Sequence, residues 1–206
     1  MSRETSRRAV QALETKRVIL DAARRLFTTQ GYGATSVGQI AEAAGVALPT
    51  VYASVGTKAT LLRLLLDRID EQAGVAELAA SLMTSGDAGT ALDLGIRITR
   101  QLAERCGDLL SALHSAAGVE PEMAETLAAG MARHRAGAEA TVGRLAHLGG
   151  LRRDLAEEEA AGMLATLTAP TVYASLTEEF GWTFERCEQW LRAVLGGQLL
   201  AADPPG

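Results

Sequence analysis

A chain of 206 residues, 48% of them hydrophobic, is long enough to bury one or two small cores. Aromatics make up only 4%, and alanine, leucine, arginine and glutamate dominate with no run rich in Val, Ile, Thr and Tyr, which points to an all-α protein. No apolar run approaches the roughly 18 residues of a membrane span, and the polar N-terminus lacks a signal-peptide apolar core, so a cytoplasmic protein is expected. Cys106 and Cys187 lack the spacing of a metal or redox pair and read as ordinary thiols in a reducing compartment. The net charge of −5 is unevenly placed: residues 1–70 carry ten basic and six acidic side chains, a net +4, and the remainder carries −9. A basic front and an acidic back suit a protein that turns one face toward phosphate.

In chain order, residues 1–13 form a polar segment with Arg3, Arg7 and Arg8. It is expected to be a flexible basic arm, either a frayed tail or a strand-following arm on DNA. A first helix is expected over 14–30, its apolar stripe Ile19, Ala22, Ala23, Leu26 and Phe27, closed by Gly31 with Tyr32 beside it. The glycine-containing stretch around Tyr32 follows a helix and no strand, which argues against a nucleotide loop. Thr35 is a reasonable N-cap for a second helix whose buried face is Val37, Ile40, Ala41 and Ala44. Gly45 falls where the chain must enter a left-handed turn, and Val46, Val51 and Val55 continue the buried side. Pro49 is tolerable only in a first helical turn, so a short third helix starts near Ala47. Helix, tight turn and helix make a helix-turn-helix, whose second member can enter the DNA major groove. A fourth helix, capped by Thr57 and running to about Glu71, is apolar on more than one face, as expected of a helix shared between a head and a second body.

The ordered segments TKRVILDAARRLFTTQGYGATSV, IAEAAGV and PTVY, followed by Lys58, make this front part resemble the TetR (tetracycline-repressor) family of bacterial transcription regulators. The resemblance covers about 55 residues. It implies a three-helix helix-turn-helix head over 14–56, joined by the fourth helix to a larger helical ligand-binding and dimerisation domain over 57–206. It also implies phosphate contacts from Thr50, Tyr52 and Lys58, with Pro49 and Ala53 toward bases; a tyrosine at position 52 could instead be a core residue. The hydroxyls of Thr35 and Ser36 are expected at a phosphate-facing corner. Leu48, Ser54 and Gln39 complete the candidate DNA-binding set. Departures from the family pattern are Gly38, where a basic residue is frequent, Ala53–Ser54 in place of an aromatic or histidine pair, and Val55 in place of phenylalanine. Hydrogen-bonded base readout is therefore thin, and Leu48 and Ala53 are candidates to meet thymine methyl groups.

Beyond Gln72 the chain keeps helical periodicity without specific motifs. Helices are expected near 75–83, from Asp87 to about Cys106, from Gly107 through Ala117, over 123–148, over 154–168, and from Thr183 to near Ala202, with Pro170 forcing a restart. The last helices are expected to form a dimer interface through Leu164, Leu167, Trp190, Leu191, Val194 and Leu195, although a monomer could use the same stripe as core.

His114, His134 and His147 lack the glutamate three residues earlier that a helical di-metal site needs, and no catalytic constellation is present; no cofactor and no enzyme activity are expected. The Ala-, Leu-, Met- and Gly-rich body suits an apolar cavity for a small neutral or cationic lipophilic ligand. Leu66, Ile98, Leu102, Leu110, His114, Met131 and Tyr173 are its candidate lining. The combined expectation is a homodimeric repressor that binds a near-palindromic double-stranded DNA operator and is released by its ligand. The alternative is a helical ligand-binding or protein-interaction module that has lost specific DNA binding.

Overall fold

The computed structural model describes residues 3–201, with side chains from residue 7 onward. The described residues form helices α1 (Arg3–Gln30), α2 (Val37–Ala44), α3 (Leu48–Ser54), α4 (Lys58–Leu66), α5 (Ile69–Ala73), α6 (Val75–Thr84), α7 (Ala88–Ala117), α8 (Pro121–His147), α9 (Glu157–Leu167), α10 (Pro170–Ala174) and α11 (Phe184–Leu199), with a π turn at Ser175–Glu179 after α10. Among them the one extended pairing is an isolated bridge between Leu151 and Leu200. The all-α expectation holds.

The chain divides into two compact units: residues 1–68 with 108–128, and residues 69–107 with 129–206. In the first, Ile19, Ala22, Ala23 and Phe27 are buried along α1, as their 3.6-residue spacing requires, together with Ile40 and Ala41 of α2 and Val51 of α3. Helix α4 adds Leu61, Leu62, Leu65 and Leu66, and the segment 108–128 adds Leu109, Leu113, Ala116 and Met123. Burying aliphatic side chains of this size contributes roughly 1.5–3 kcal/mol each.

Several expected boundaries move. Helix α1 begins at Arg3 rather than near Glu14, so residues 3–13 are helical. This stretch holds good helix formers such as Arg, Ala, Gln and Leu and no glycine or proline to stop the turn. Met1 and Ser2 of the expected arm lie outside the described residues, as does the side chain of Arg3. The fourth helix stops at Leu66 instead of continuing to Glu71: the Arg68 amide bonds Leu65 three residues back, a tightened turn that ends the α-helical ladder. Conversely, Gly107 and Asp108 do not separate two helices. Helix α7 runs through both, because one interior glycine costs only about 1 kcal/mol, less than tertiary packing returns.

In the second unit the core joins Leu92 and Ile96 of α7, Val142 and Leu145 of α8, Leu164 of α9, Tyr173, and Leu191, Leu195 and Leu199 of α11. A ladder of ions closes the α7–α11 seam. Arg192 pairs with Asp93, Arg97 with Glu188 at 3.5 Å, and Arg100 with Glu188 at 3.2 Å and Glu185 at 2.7 Å. Helices α7 and α8 approach closely at Gly95, where a Cβ would lie 2.8 Å from Thr141 Cγ2. Threonine is stiff at χ1 and cannot swing aside without cost. Gly95→Val is therefore expected to lose about 2 kcal/mol of stability in urea unfolding; unchanged stability would mean that this crossing has slack.

Candidate nucleic-acid interface

The head is built outward from the turn between α2 and α3. Gly45 adopts φ +67°, a left-handed conformation that costs a side-chain-bearing residue about 1–2 kcal/mol, and its amide bonds the α2 C-terminus. Helix α3 then starts at Leu48 with Pro49 in its first turn, where the missing N–H leaves no intrahelical bond unmade. With Val51 fully buried, the opposite row of α3 consists of Leu48, Pro49, Tyr52 and Ala53, all exposed; Leu48 keeps 42% and Tyr52 52% of its surface. Thr50 and Ser54 flank this row, half-buried. Val55, in the place where the family pattern has phenylalanine, fills a buried position.

Two expectations at the start of α2 are corrected. The N-cap is Ser36 rather than Thr35: Ser36 Oγ accepts the Gln39 amide at 3.2 Å, and Gln39 Oε1 accepts the Ser36 amide at 2.8 Å, a reciprocal capping box. Thr35 is buried, and its hydroxyl donates to the Gly31 carbonyl at 2.8 Å, so it locks the α1–α2 turn and has nothing to offer a phosphate. Gln39 is correspondingly committed, since the Ser36 hydroxyl also donates to its Oε1 at 3.0 Å.

Lys58, the first residue of α4, is half-buried. Its ammonium lies 4.2 Å above the Tyr32 ring and donates to the Tyr32 carbonyl at 3.0 Å. An ammonium carries three donors, so this bond leaves others for a phosphate. Tyr32 is completely buried, stacked at a tilt on Phe27 with ring centroids 5.2 Å apart, and donates its hydroxyl hydrogen to Glu120 at 2.6 Å. Burial first, then the hydrogen bond and charge of Glu120, push its phenol well above the ordinary range. Arg24 grips Asp108 through two bonds of 2.7 and 2.9 Å, and Thr28 adds a third at 3.2 Å. Sequence reading placed Tyr32 beside the α1 cap but gave no sign of Arg24, Asp108 or Glu120, because partners more than 80 residues apart leave no local pattern.

The other candidate sets are partly rearranged. Of the ligand-lining candidates, Leu66 is buried and Leu110 half-buried in the first unit, whereas His114 is exposed, its Nδ1 within 2.9 Å of the Leu110 carbonyl on its own helix. His114 is thus a surface histidine and not a cavity wall. In the second unit Ile98 and Leu102 are half-buried, Met131 is 51% exposed, and Tyr173 is buried with its hydroxyl 3.0 Å from Thr99 Oγ1. Of the dimer candidates, Leu164, Leu191 and Leu195 belong to the chain's own core, because the 3–4 stripe of α11 is wide enough for an inward and a flanking row. Leu167, Trp190 and Val194 are the flanking, half-exposed members.

A short buried-cored head with a glycine turn and an exposed third-helix row defines a helix-turn-helix protein. The family model for bacterial regulatory proteins of the tetR family matches residues 19–65. The HTH-type transcriptional regulator AcrR of Shigella flexneri is 37% identical over 87 residues, which take up 42% of this chain and 39% of AcrR, so the match spans about two fifths of that relative's length. At the level of fold the likeness covers nearly the whole chain. The choline complex of a Saccharomonospora viridis protein superposes with a TM-score of 0.76 at 21% identity, over 92% of this chain and 99% of that one. The SmeT–triclosan complex does so with 0.71 at 20% identity, over 94% and 96%. The front of the chain, residues 19–65, is thus similar to the tetR family of bacterial regulatory proteins, and the likeness of fold extends over nearly the whole chain.

The Arg24–Asp108 pair supplies a pH-dependent contribution. Burial alone would raise the Asp108 pKa, but the hydrogen bonds and charge of Arg24, with help from the Leu109 amide and Thr28, hold it below its ordinary value. A carboxylate whose pKa falls on folding gives stability that is present at neutral pH and lost as the pH drops through the folded-state value. Asp108→Asn is expected to be less stable than the unaltered protein by about 1–2 kcal/mol in urea at neutral pH, and the gap should close as the pH is lowered through and below the ordinary carboxylate range. A gap independent of pH would remove the ion pair as its cause.

Proposed function

We propose that this protein is a DNA-binding transcriptional repressor that acts as a homodimer. Helix α3 of each subunit enters successive major grooves of a near-palindromic operator, about 34–36 Å apart. The observation that carries this reading is the exposed row Leu48, Pro49, Tyr52 and Ala53 on a helix anchored on its other side by the fully buried Val51, in a head similar to that of the tetR family. A solvent-facing leucine and tyrosine on a seven-residue helix have no use in the isolated fold. Thr50, Tyr52 and the remaining donors of Lys58 are the groups for phosphate, Ser36 having given both its amide and its hydroxyl hydrogen to Gln39, and Arg7 and Arg8, exposed on the first turns of α1, add positive charge.

Residues 57–206 serve as the ligand-binding and dimerisation part. Leu167, Trp190 and Val194 are the members of the expected interface that remain available for a second copy. The choline and triclosan held by the two structural relatives, one a small cation and the other a lipophilic phenol, support a small-molecule effector. Such an effector releases the operator only if it binds more tightly to the state in which the two recognition helices are wrongly spaced. One alternative reading, a helical module without specific DNA binding, keeps some support from Gly38, Ala53 and Ser54, which thin the polar readout.

The test is binding of a fluorescent mixed-sequence duplex from about 50 to 200 mM salt, where phosphate neutralisation releases counterions and affinity should fall steeply. Lys58→Ala is expected to weaken binding to all sequences alike and flatten the salt slope by about one. Gly38→Lys should do the reverse, because a Cβ there meets nothing closer than Ser36 Oγ at 3.8 Å. Duplex binding that is absent, or indifferent to salt, would leave the module without DNA-binding activity.

A further inference from the structure

We infer that this head discriminates bases chiefly by apolar contact, with Leu48 reading the 5-methyl group of thymine in the major groove and Ala53 extending the same row. The inference rests on the DNA-binding reading above and specifies its chemistry. Major-groove readout by hydrogen bonds needs paired donors and acceptors: arginine or lysine for guanine, asparagine or glutamine for adenine, a carboxylate for cytosine. Helix α3, LPTVYAS, holds none of these side chains. Its exposed row offers two aliphatic surfaces, a proline ring and one phenol, and its two remaining hydroxyls, on Thr50 and Ser54, lie half-buried at the flanks.

The neighbouring α2 contributes one amide, Gln39, and the capping box has already taken its oxygen, which accepts from the Ser36 amide at 2.8 Å and from the Ser36 hydroxyl at 3.0 Å. Its nitrogen is directed to Gln30 at 3.5 Å. The adenine-reading geometry needs both amide ends free, so Gln39 is removed from direct readout without breaking the cap of α2. Leu48 remains, at the first position of α3, with 42% of its surface open and its backbone fixed by Pro49. The only apolar group that any base edge presents in the major groove is the thymine methyl. A leucine held rigidly at that place is complementary to it and to nothing else in the groove.

The probe is a duplex enriched from a random-sequence pool by the full-length protein, then resynthesised with each thymine in turn replaced by deoxyuridine, which deletes the methyl alone. One thymine per half-site is expected to show a loss of affinity of about three- to five-fold on replacement, the equivalent of one buried methyl. In Leu48→Ala that same position should become indifferent to the replacement, while the thermal midpoint stays near that of the unaltered protein because Leu48 is outside the core. Leu48→Gln, which restores hydrogen-bonding groups, should shift the enriched base at that position away from thymine. An enriched duplex in which no thymine responds, or one whose response survives Leu48→Ala, overturns the inference. So does salt-dependent binding with no sequence enriched at all, an outcome that leaves the DNA-binding reading intact; absence of any duplex binding removes that reading itself.

Discussion

The head depends on the burial of one phenol. Tyr32 follows the first helix with its side chain wholly excluded from water, and a buried hydroxyl without a partner would cost about 1–3 kcal/mol. Glu120 satisfies it at 2.6 Å. Once the ring is fixed, its face is a platform for the Lys58 ammonium, and its carbonyl receives both Lys58 and the Thr35 amide. The end of α1, the start of α2 and the start of α4 are thereby tied to one residue, through its ring and its main-chain carbonyl. The rigidity of the third-helix row is inherited from that knot, since α3 itself is too short to hold its own shape.

Why the exposed row of α3 carries so little polarity follows from where the head's polar groups are used. Thr35 and Gln39 are residue types that commonly meet nucleic acid, yet both are consumed in building the turn and the cap. The surface left over is hydrocarbon and one phenol. Stability of the local fold and polarity of the recognition face draw on the same few side chains, and in this chain the fold takes them.

Much of the head is legible in the sequence, because its determinants are local. The 3.6-residue stripe of α1, the left-handed glycine at position 45, the proline in the first turn of α3 and the Thr57 cap are all found where spacing puts them. The misassigned cap at Thr35 shows the limit: two adjacent hydroxyl residues are equally good caps, and only the tertiary demand of the Gly31 carbonyl decides which turns inward. Farther along, local signals mislead. Gly107–Asp108 looks like a helix break, but the aspartate serves Arg24, 84 residues earlier, and the helix passes through. The apolar stripe of α11 reads equally well as core or as interface, and in the single chain its central row, Leu191, Leu195 and Leu199, is core while Trp190 and Val194 stay half-exposed beside it. Partners distant in sequence leave no trace in a single chain.

The ion ladder of the second unit bears on how such a chain can drift. Glu188 is nearly excluded from solvent yet answers to both Arg97 and Arg100, and Arg100 in turn answers to Glu185. Removing Arg100 or Glu188, the two mostly buried members, leaves the other in a poorly hydrated place and is destabilising, whereas the exposed Arg97 and Glu185 matter little to the balance. Replacement of Arg100 or Glu188 alone is thus disfavoured, whereas exchange of that pair together remains open. Among descendants of this sequence, α7 and α11 should change there in concert, and the solvent-facing glutamates at the start of α9 should wander freely.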